Sequence, residues 1–245
     1  MKTGYLVLEA KRAMRNPRFL FFTMVFPVVL FLVDAGTFGK ERVDGTTVSY
    51  TAYLMCSMAA YGAFAAAMNS GARTALERAA GWQRQLRLTP LTPSGYLTAK
   101  AAVGFMVALP PVFLVSVVGG LVEGVHLTPA GWMQAVLGVW AATLPFAVLG
   151  LLIGQLATSE TVQVLTVGVT MLFGFLGGIF IPSAVFPDWL NIVSKALPSY
   201  WLAEIGHGAA LGNHDTATAV AVLGAWTVVL AFAVTRRYRR DSARV

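Results

Sequence analysis

The 245-residue chain has one cysteine, three histidines and only 12% charged residues, where ~25% is usual for a globular protein. A lone Cys56 excludes an intrachain disulfide and a thiolate metal cluster, and its place inside an apolar run makes packing its ordinary role. So little polar material leaves no room for a separate soluble domain. Acidic side chains are scarcer than basic ones. Asp34, Glu123 and Glu160 each fall at the end of an apolar run, so no carboxylate supplies the titratable group at bilayer depth that proton-coupled antiport requires. The sequence also has no Gly-x-x-x-x-Gly-Lys-Ser/Thr phosphate loop, and its nearest fragment, Gly39-Lys40-Glu41, lacks the upstream glycine. Ser57, Ser70, Ser116 and Ser159 have no His and Asp at matching depth, which speaks against nucleophilic catalysis. His126, His207 and His214 are scattered; Glu204 and His207 could share a helix face, but a metal site needs three or four convergent ligands, and none is expected.

What the chain has instead is 57% hydrophobic residues gathered into six runs, at about 18–38, 50–70, 101–122, 130–157, 161–182 and 217–235. Each is long enough for the ~20 residues with which a helix crosses ~30 Å of hydrocarbon. Fifteen of the eighteen Lys and Arg residues fall in alternate gaps: before the first run, between the second and third, and after the sixth. Retention of basic loops on the cytosolic side then puts both termini in the cytoplasm of a plasma-membrane protein. The same asymmetry explains the net charge of +7, so nucleic-acid binding is not implied. The first run follows a basic start without a small-residue cleavage site and reads as a retained helix. The expected fold is all-α: a single transmembrane domain over 1–245 with six transmembrane helices.

The gaps carry the rest of the architecture. Residues 1–17 place Leu6, Ala10, Ala13 and Met14 among Lys11, Arg12 and Arg15, a pattern suited to an interfacial helix ending at Asn16-Pro17, with a solvated basic start as the alternative. The gap 39–49 reads as a loop, and the short gaps at 123–129 and 158–160 make spans three to five an antiparallel series. The segment 71–100 is longer. Over 72–88, Ala75, Leu76, Ala79, Ala80 and Leu86 alternate with Arg73, Glu77, Arg78, Arg84 and Arg87, which predicts a helix continuing from span two until Pro90 stops it. Thr92 can then cap a new helix that has Pro93 at its first position. On the outer side, 181–216 is broken by Pro182, Pro187 and Pro198 yet rich in apolar residues, so short re-entrant helices in the outer leaflet are expected, with Trp189, Tyr200 and Trp201 near the interface.

Leu76-Glu77-Arg78, Gly81, Leu88-Thr89-Pro90-Leu91, Tyr96 and Lys100, followed by the outer Pro187, Pro198 and Tyr200, stand in an order around six runs that resembles the permease subunit of type 2 ABC exporters, the group that includes daunorubicin-resistance permeases. The family commonly has Glu-Arg-Glu-x-Gly where this chain has Glu77-Arg78-Ala79-Ala80-Gly81, so the second acidic residue is missing. The resemblance implies a non-enzymatic transport subunit moving a hydrophobic or amphipathic substrate, such as a drug, lipid or glycan, outward. It also implies a homodimer or a heterodimer with a sister permease, among membrane lipids, and separate ABC ATPase subunits that bind the ATP and Mg. The chain itself would hold no cofactor.

Within that resemblance, 71–100 is the cytoplasmic coupling segment, and Glu77, Arg78, Gly81, Trp82, Arg84, Arg87, Thr89 and Pro90 are its ATPase-coupling residues. Trp82 is an apolar anchor of the kind found at binding hot spots. The bland alternative pairs Glu77 with Arg73 or Arg78 on its own helix. Because these charges lie outside the hydrocarbon, losing Glu77 is expected to cost far less than breaking a buried pair. Gly174, Gly177 and Gly178 form a small-residue face in span five, as Gly150 and Gly154 do in span four. For span five the resemblance suggests the subunit interface beside a translocation path, with packing inside one subunit equally open. Tyr53, Tyr61, Phe64, Phe105 and Phe113 would suit an apolar substrate if they line a cavity; packing against lipid or other helices is the alternative. The competing functional class is a secondary transporter or channel, but the inverted repeats and paired broken helices expected of it are not seen.

The topology is testable in a Cys56-free background. Single cysteines at Gln85 and both termini should react only from the cytosolic side, and those at Thr46 and Lys195 only from outside. External labelling at Gln85 would overturn the six-span orientation.

Overall fold

The computed structural model describes residues 8, 11–12, 15–39, 49–82, 93–212 and 215–242, which form helices joined by turns and contain no β-strand. Five helices are long and apolar enough to cross a bilayer: α1 (Phe21–Phe38), α2 (Tyr50–Ala79), α3 (Gly95–Leu121), α4 (Pro129–Leu156) and α8 (Thr216–Arg240). Between the last two stand α5 (Val162–Leu176), α6 (Asp188–Ala196) and α7 (Pro198–Leu211). The fifth run of the sequence thus yields a helix of only 15 residues, about 22 Å at 1.5 Å per residue. It stops because Gly177 and Gly178 follow, the latter in the left-handed region at φ 76°.

Local chemistry sets the other boundaries. Ser49 accepts from the Thr51 amide at the start of α2, and Thr128 accepts from the Gly131 amide ahead of Pro129 at the start of α4. Asp215 takes both the amide and the hydroxyl of Thr218 at the start of α8, contacts that hold its carboxyl below the usual carboxylate range. Pro93 opens the helix that leads into α3, as its position predicts. The expected helix over 72–88 is interrupted, with Trp82 helical again after a turn at Ala80–Gly81 and 83–88 outside the described residues. Its first part ends at Ala79 because Gly81 turns left-handed at φ 70°. Arg84, Gln85, Arg87, Thr89, Pro90 and Thr92 lie outside the described residues, as do Thr46, His214 and most of 1–17.

Prolines interrupt three spans. A π-turn at Phe21–Val25 precedes Pro27 in α1, a break at Val107–Ala108 precedes Pro110 and Pro111 in α3, and a break at Ala142–Thr143 precedes Pro145 in α4. In the absence of water, side chains must satisfy the freed carbonyls. Trp140 donates its indole N–H to Phe105 O at 2.8 Å, and the Thr143 hydroxyl donates to Trp140 O at 2.6 Å.

α2 contains no proline and is the centre of the molecule. The apolar stretch of α2 is entirely buried, against 22% for the corresponding stretches of α1 and α8. Its widest contact is with the second half of α4, where glycine meets backbone. A Cβ on Gly150 would collide with the Met68 carbonyl, one on Gly71 with the backbone of Gly150 and Leu151, and one on Gly154 with the Thr74 hydroxyl. The small-residue face of α4 is therefore used inside the subunit.

Gly150→Val should prevent α2 and α4 from closing and abolish a monodisperse peak in detergent size-exclusion chromatography. Gly224→Ala in α8, with nothing within 4 Å of the new methyl, should leave the thermal midpoint unchanged or raise it, by up to about 1 kcal/mol of stability.

Candidate functional site

At 30 residues, α2 is about 45 Å long and outruns the ~30 Å hydrocarbon by some ten residues. Its last turns, from Arg73 onward, lie beside the start of α3 and the end of α4. Adjacent residues there tie α2 to both neighbours. Glu77 is buried at 7% exposure, and its Oε1 lies 2.6 Å from Nζ of Lys100, itself 3% exposed. The Tyr96 hydroxyl donates to Glu77 Oε2 at 3.1 Å, and Arg12 approaches Oε1 at 3.7 Å from the N-terminal segment. Arg78 turns the other way. Its guanidinium donates to Gln155 O at 2.5 Å and Ala157 O at 2.6 Å, carbonyls at the end of α4.

This placement changes the reading of Glu77. It pairs neither with Arg73 nor with Arg78 but with Lys100 across two helices, and the pair is withdrawn from solvent. The expectation that losing Glu77 costs little is corrected accordingly: its loss leaves a buried ammonium uncompensated. The sequence places Lys100 in a basic gap and, with Tyr96, in the motif of the resemblance, and names no partner for it. The signal was available, since a lysine among alanines one turn after Tyr96, where the apolar run begins, requires an acidic partner.

The surface beside these ties is a groove of about 520 Å³ lined by Arg12, Arg73, Leu76, Glu77, Ala80 and Trp82. Leu76 is 48% exposed. The buried Nε1 of Trp82 has no acceptor among the described residues. Gly81 supplies the turn that folds Trp82 back over the groove.

The second predicted set lies far from this groove. Tyr61 and Tyr53 are buried in the core at 3% and 8% exposure. Tyr61 packs among Phe26, Phe64 and Phe180, and Gly174 lies under the Phe180 ring, so the structure brings Gly174 and Tyr61 to one aromatic cluster. Gly177 meets Ser199, and Gly178 makes the turn that follows α5. Tyr53 stacks on His207 at 3.7 Å between centroids. His207 Nε2 is 2.8 Å from the Ser57 hydroxyl, a serine–histidine meeting that the sequence did not anticipate. Both groups are buried and the ring is covered by Tyr53, so the pair pins α7 to α2 and is closed to a substrate. Gly206, Gly208, Ala209 and Ala210 around His207 were the signal: a helix that small must be buried, and its one ring must find a partner. Among the described residues no group of three or more His, Cys, Asp or Glu could hold a metal ion.

Glu77→Ala and Lys100→Ala should each destabilise the purified protein by about 3–5 kcal/mol, and the double variant should recover much of that loss. Thermal unfolding in one detergent measures all three; additive losses would show that the pair is not coupled.

Residues 6–209 match the ABC-2 type transporter family. A relative from Bacillus subtilis (strain 168) that carries the name transport permease YvfS is 28% identical over 204 residues, covering 83% of this chain and 81% of the relative. The match takes in the tied ends of α2, α3 and α4 and nearly the whole of α7, and on that extent the chain belongs to the ABC-2 type transporter family.

Proposed function

We propose that the chain is the membrane subunit of an ATP-driven exporter for a hydrophobic or amphipathic substrate, paired with a second permease and served by separate ATPase subunits. Membership of the family supports a transport permease. The exposed groove of Arg12, Arg73, Leu76 and Trp82 supports the site where the ATPase presses. The observation that carries the reading is the double tie next to it, Glu77 to Lys100 and Arg78 to the end of α4. A push at the groove reaches three helices together, because none can move without breaking a buried ion pair or uncapping a helix.

The coupling role thus divides. Trp82, Leu76, Arg73 and Arg12 meet the partner; Glu77 and Arg78 transmit. Both termini lie in the cytoplasm in this reading, so an even number of crossings is required. α5 together with the Gly177–Pro182 turn completes the sixth. The exposed Trp189, Ile192 and Val193 of α6 then rest in the outer leaflet, as the re-entrant segment 181–216 would require.

The purified chain alone should hydrolyse no ATP, and its cognate ATPase should gain hydrolysis on assembly with it. Trp82→Ala should weaken that assembly by about 5- to 150-fold, the equivalent of 1–3 kcal/mol at a hot spot, while membrane insertion stays intact. Wild-type assembly and hydrolysis in this variant would reject the groove as the docking surface, and substrate flux through the chain without ATP would establish the channel or secondary-transporter class instead.

A further inference from the structure

α8 is amphipathic along its length and not only around its circumference. On its open face Val228, Val229 and Phe232 are 69%, 61% and 66% exposed. The same face, continued by steps of three and four, carries Thr235, Arg236, Arg239 and Arg240, all exposed. Phe232, Thr235 and these three arginines line a groove of about 590 Å³. Arg237 and Tyr238, between them in sequence, turn inward instead and are half-buried, Tyr238 against Tyr96. Counting about 20 residues of hydrocarbon from Thr216 puts Phe232 at acyl depth, Arg236 at the boundary and Arg239 and Arg240 about 5 Å beyond it.

Topology and the helix dipole both favour cations at this end, but neither requires three of them on one stripe, directly below an exposed aromatic. Among the described residues Arg236, Arg239 and Arg240 have no acidic partner. Thr235 spends its hydroxyl proton on the Ala231 carbonyl, so the guanidinium groups carry the free donors. A second copy of the chain on this face would set arginines against arginines. A soluble acidic protein would leave Phe232 and the valines above it uncovered. A molecule with an anionic head and apolar chains matches both halves of the stripe at their respective depths.

We propose that this face of α8 binds an anionic phospholipid of the inner leaflet, with the headgroup phosphate held by Arg236, Arg239 and Arg240 and the acyl chains lying along Phe232, Val229 and Val228. The forked guanidinium suits phosphate, and inner-leaflet anionic lipid is the partner to which basic juxtamembrane clusters respond. The site is separate from the ATPase groove, and its occupancy does not depend on the partner being present.

The test uses the full chain in bilayers containing spin-labelled phosphatidylglycerol or spin-labelled phosphatidylcholine, the immobilised fraction giving the relative association of each. The wild-type chain should prefer phosphatidylglycerol by at least threefold. The variant Arg236→Gln/Arg239→Gln/Arg240→Gln should lose most of that preference, whereas Lys2→Gln/Lys11→Gln/Arg15→Gln, which removes the same charge elsewhere, should keep it. If the first variant does not insert, Arg239→Gln/Arg240→Gln, whose changes lie beyond the hydrocarbon, should cut the preference at least by half. No preference in the wild type, equal losses in both charge-matched variants, or an unchanged lipid preference with lost ATPase association in the α8 variant would each overturn the proposal.

Discussion

Inside a bilayer, lipid tails solvate an apolar side chain as well as another helix does, so two helices hold together by close packing and not by hydrophobic burial. The structure depends on one such packing, the crossing of α2 over α4 at Gly71, Gly150 and Gly154, where backbone meets backbone. Because that crossing lets the helices approach without intervening side chains, α2 can sit wholly inside the bundle, with α1, α3, α4 and α7 arranged around it. Its alanine-rich sequence, unusual in a lipid-facing helix, follows from the same requirement. The prolines that interrupt α1, α3 and α4 are absent from α2, and its one irregularity is a turn at Arg73, past the buried apolar stretch.

A buried ion pair at the C-terminal end of that helix needs its own explanation, since an apolar pair of the same volume would often be as stable. Glu77 and Lys100 offer what apolar residues cannot, a single allowed register between the end of α2 and the start of α3, with Tyr96 fixing the second carboxylate oxygen. Arg78 does the same for α4 through carbonyls that its helix end cannot satisfy. The missing second acidic residue at Ala79 is consistent with this arrangement. Arg78 has no carboxylate to answer at that position and finds backbone oxygen instead.

What was legible in the sequence follows from what is local. Pro93 marks its helix start because a missing donor acts within a turn, and the glycine face of α4 declares a close neighbour by spacing alone. The neighbour's identity is not local, and neither is the length of a helix that stops early. The run 161–182 is apolar enough to cross, yet Gly177 and Gly178 end its helix, because two successive glycines release the backbone whatever the hydrophobicity around them. Glu77 looked like a surface charge because its partner lies 23 residues away on another helix. His207 looked solitary because Ser57 lies 150 residues away. In each case the type of partner could be inferred from the residue, while its position required the fold.

The His207 to Ser57 contact gives α2 a fastening in its N-terminal half to match the one at Glu77. α7 is held there by the stacked Tyr53 ring and by Gln134 donating to Ile205 O; it reaches onward to α6 through Trp201, which donates to the Lys195 carbonyl, while Trp226 of α8 donates to the Ala196 carbonyl. A helix whose apolar stretch is entirely buried, with polar fastenings at both ends and glycine packing in the middle, cannot rotate at one end without displacing the other. That is the property a transport subunit requires if force applied at one end of the bundle is to change the structure at the other, and it resides in α2 because that helix has the burial and the contacts with every neighbour.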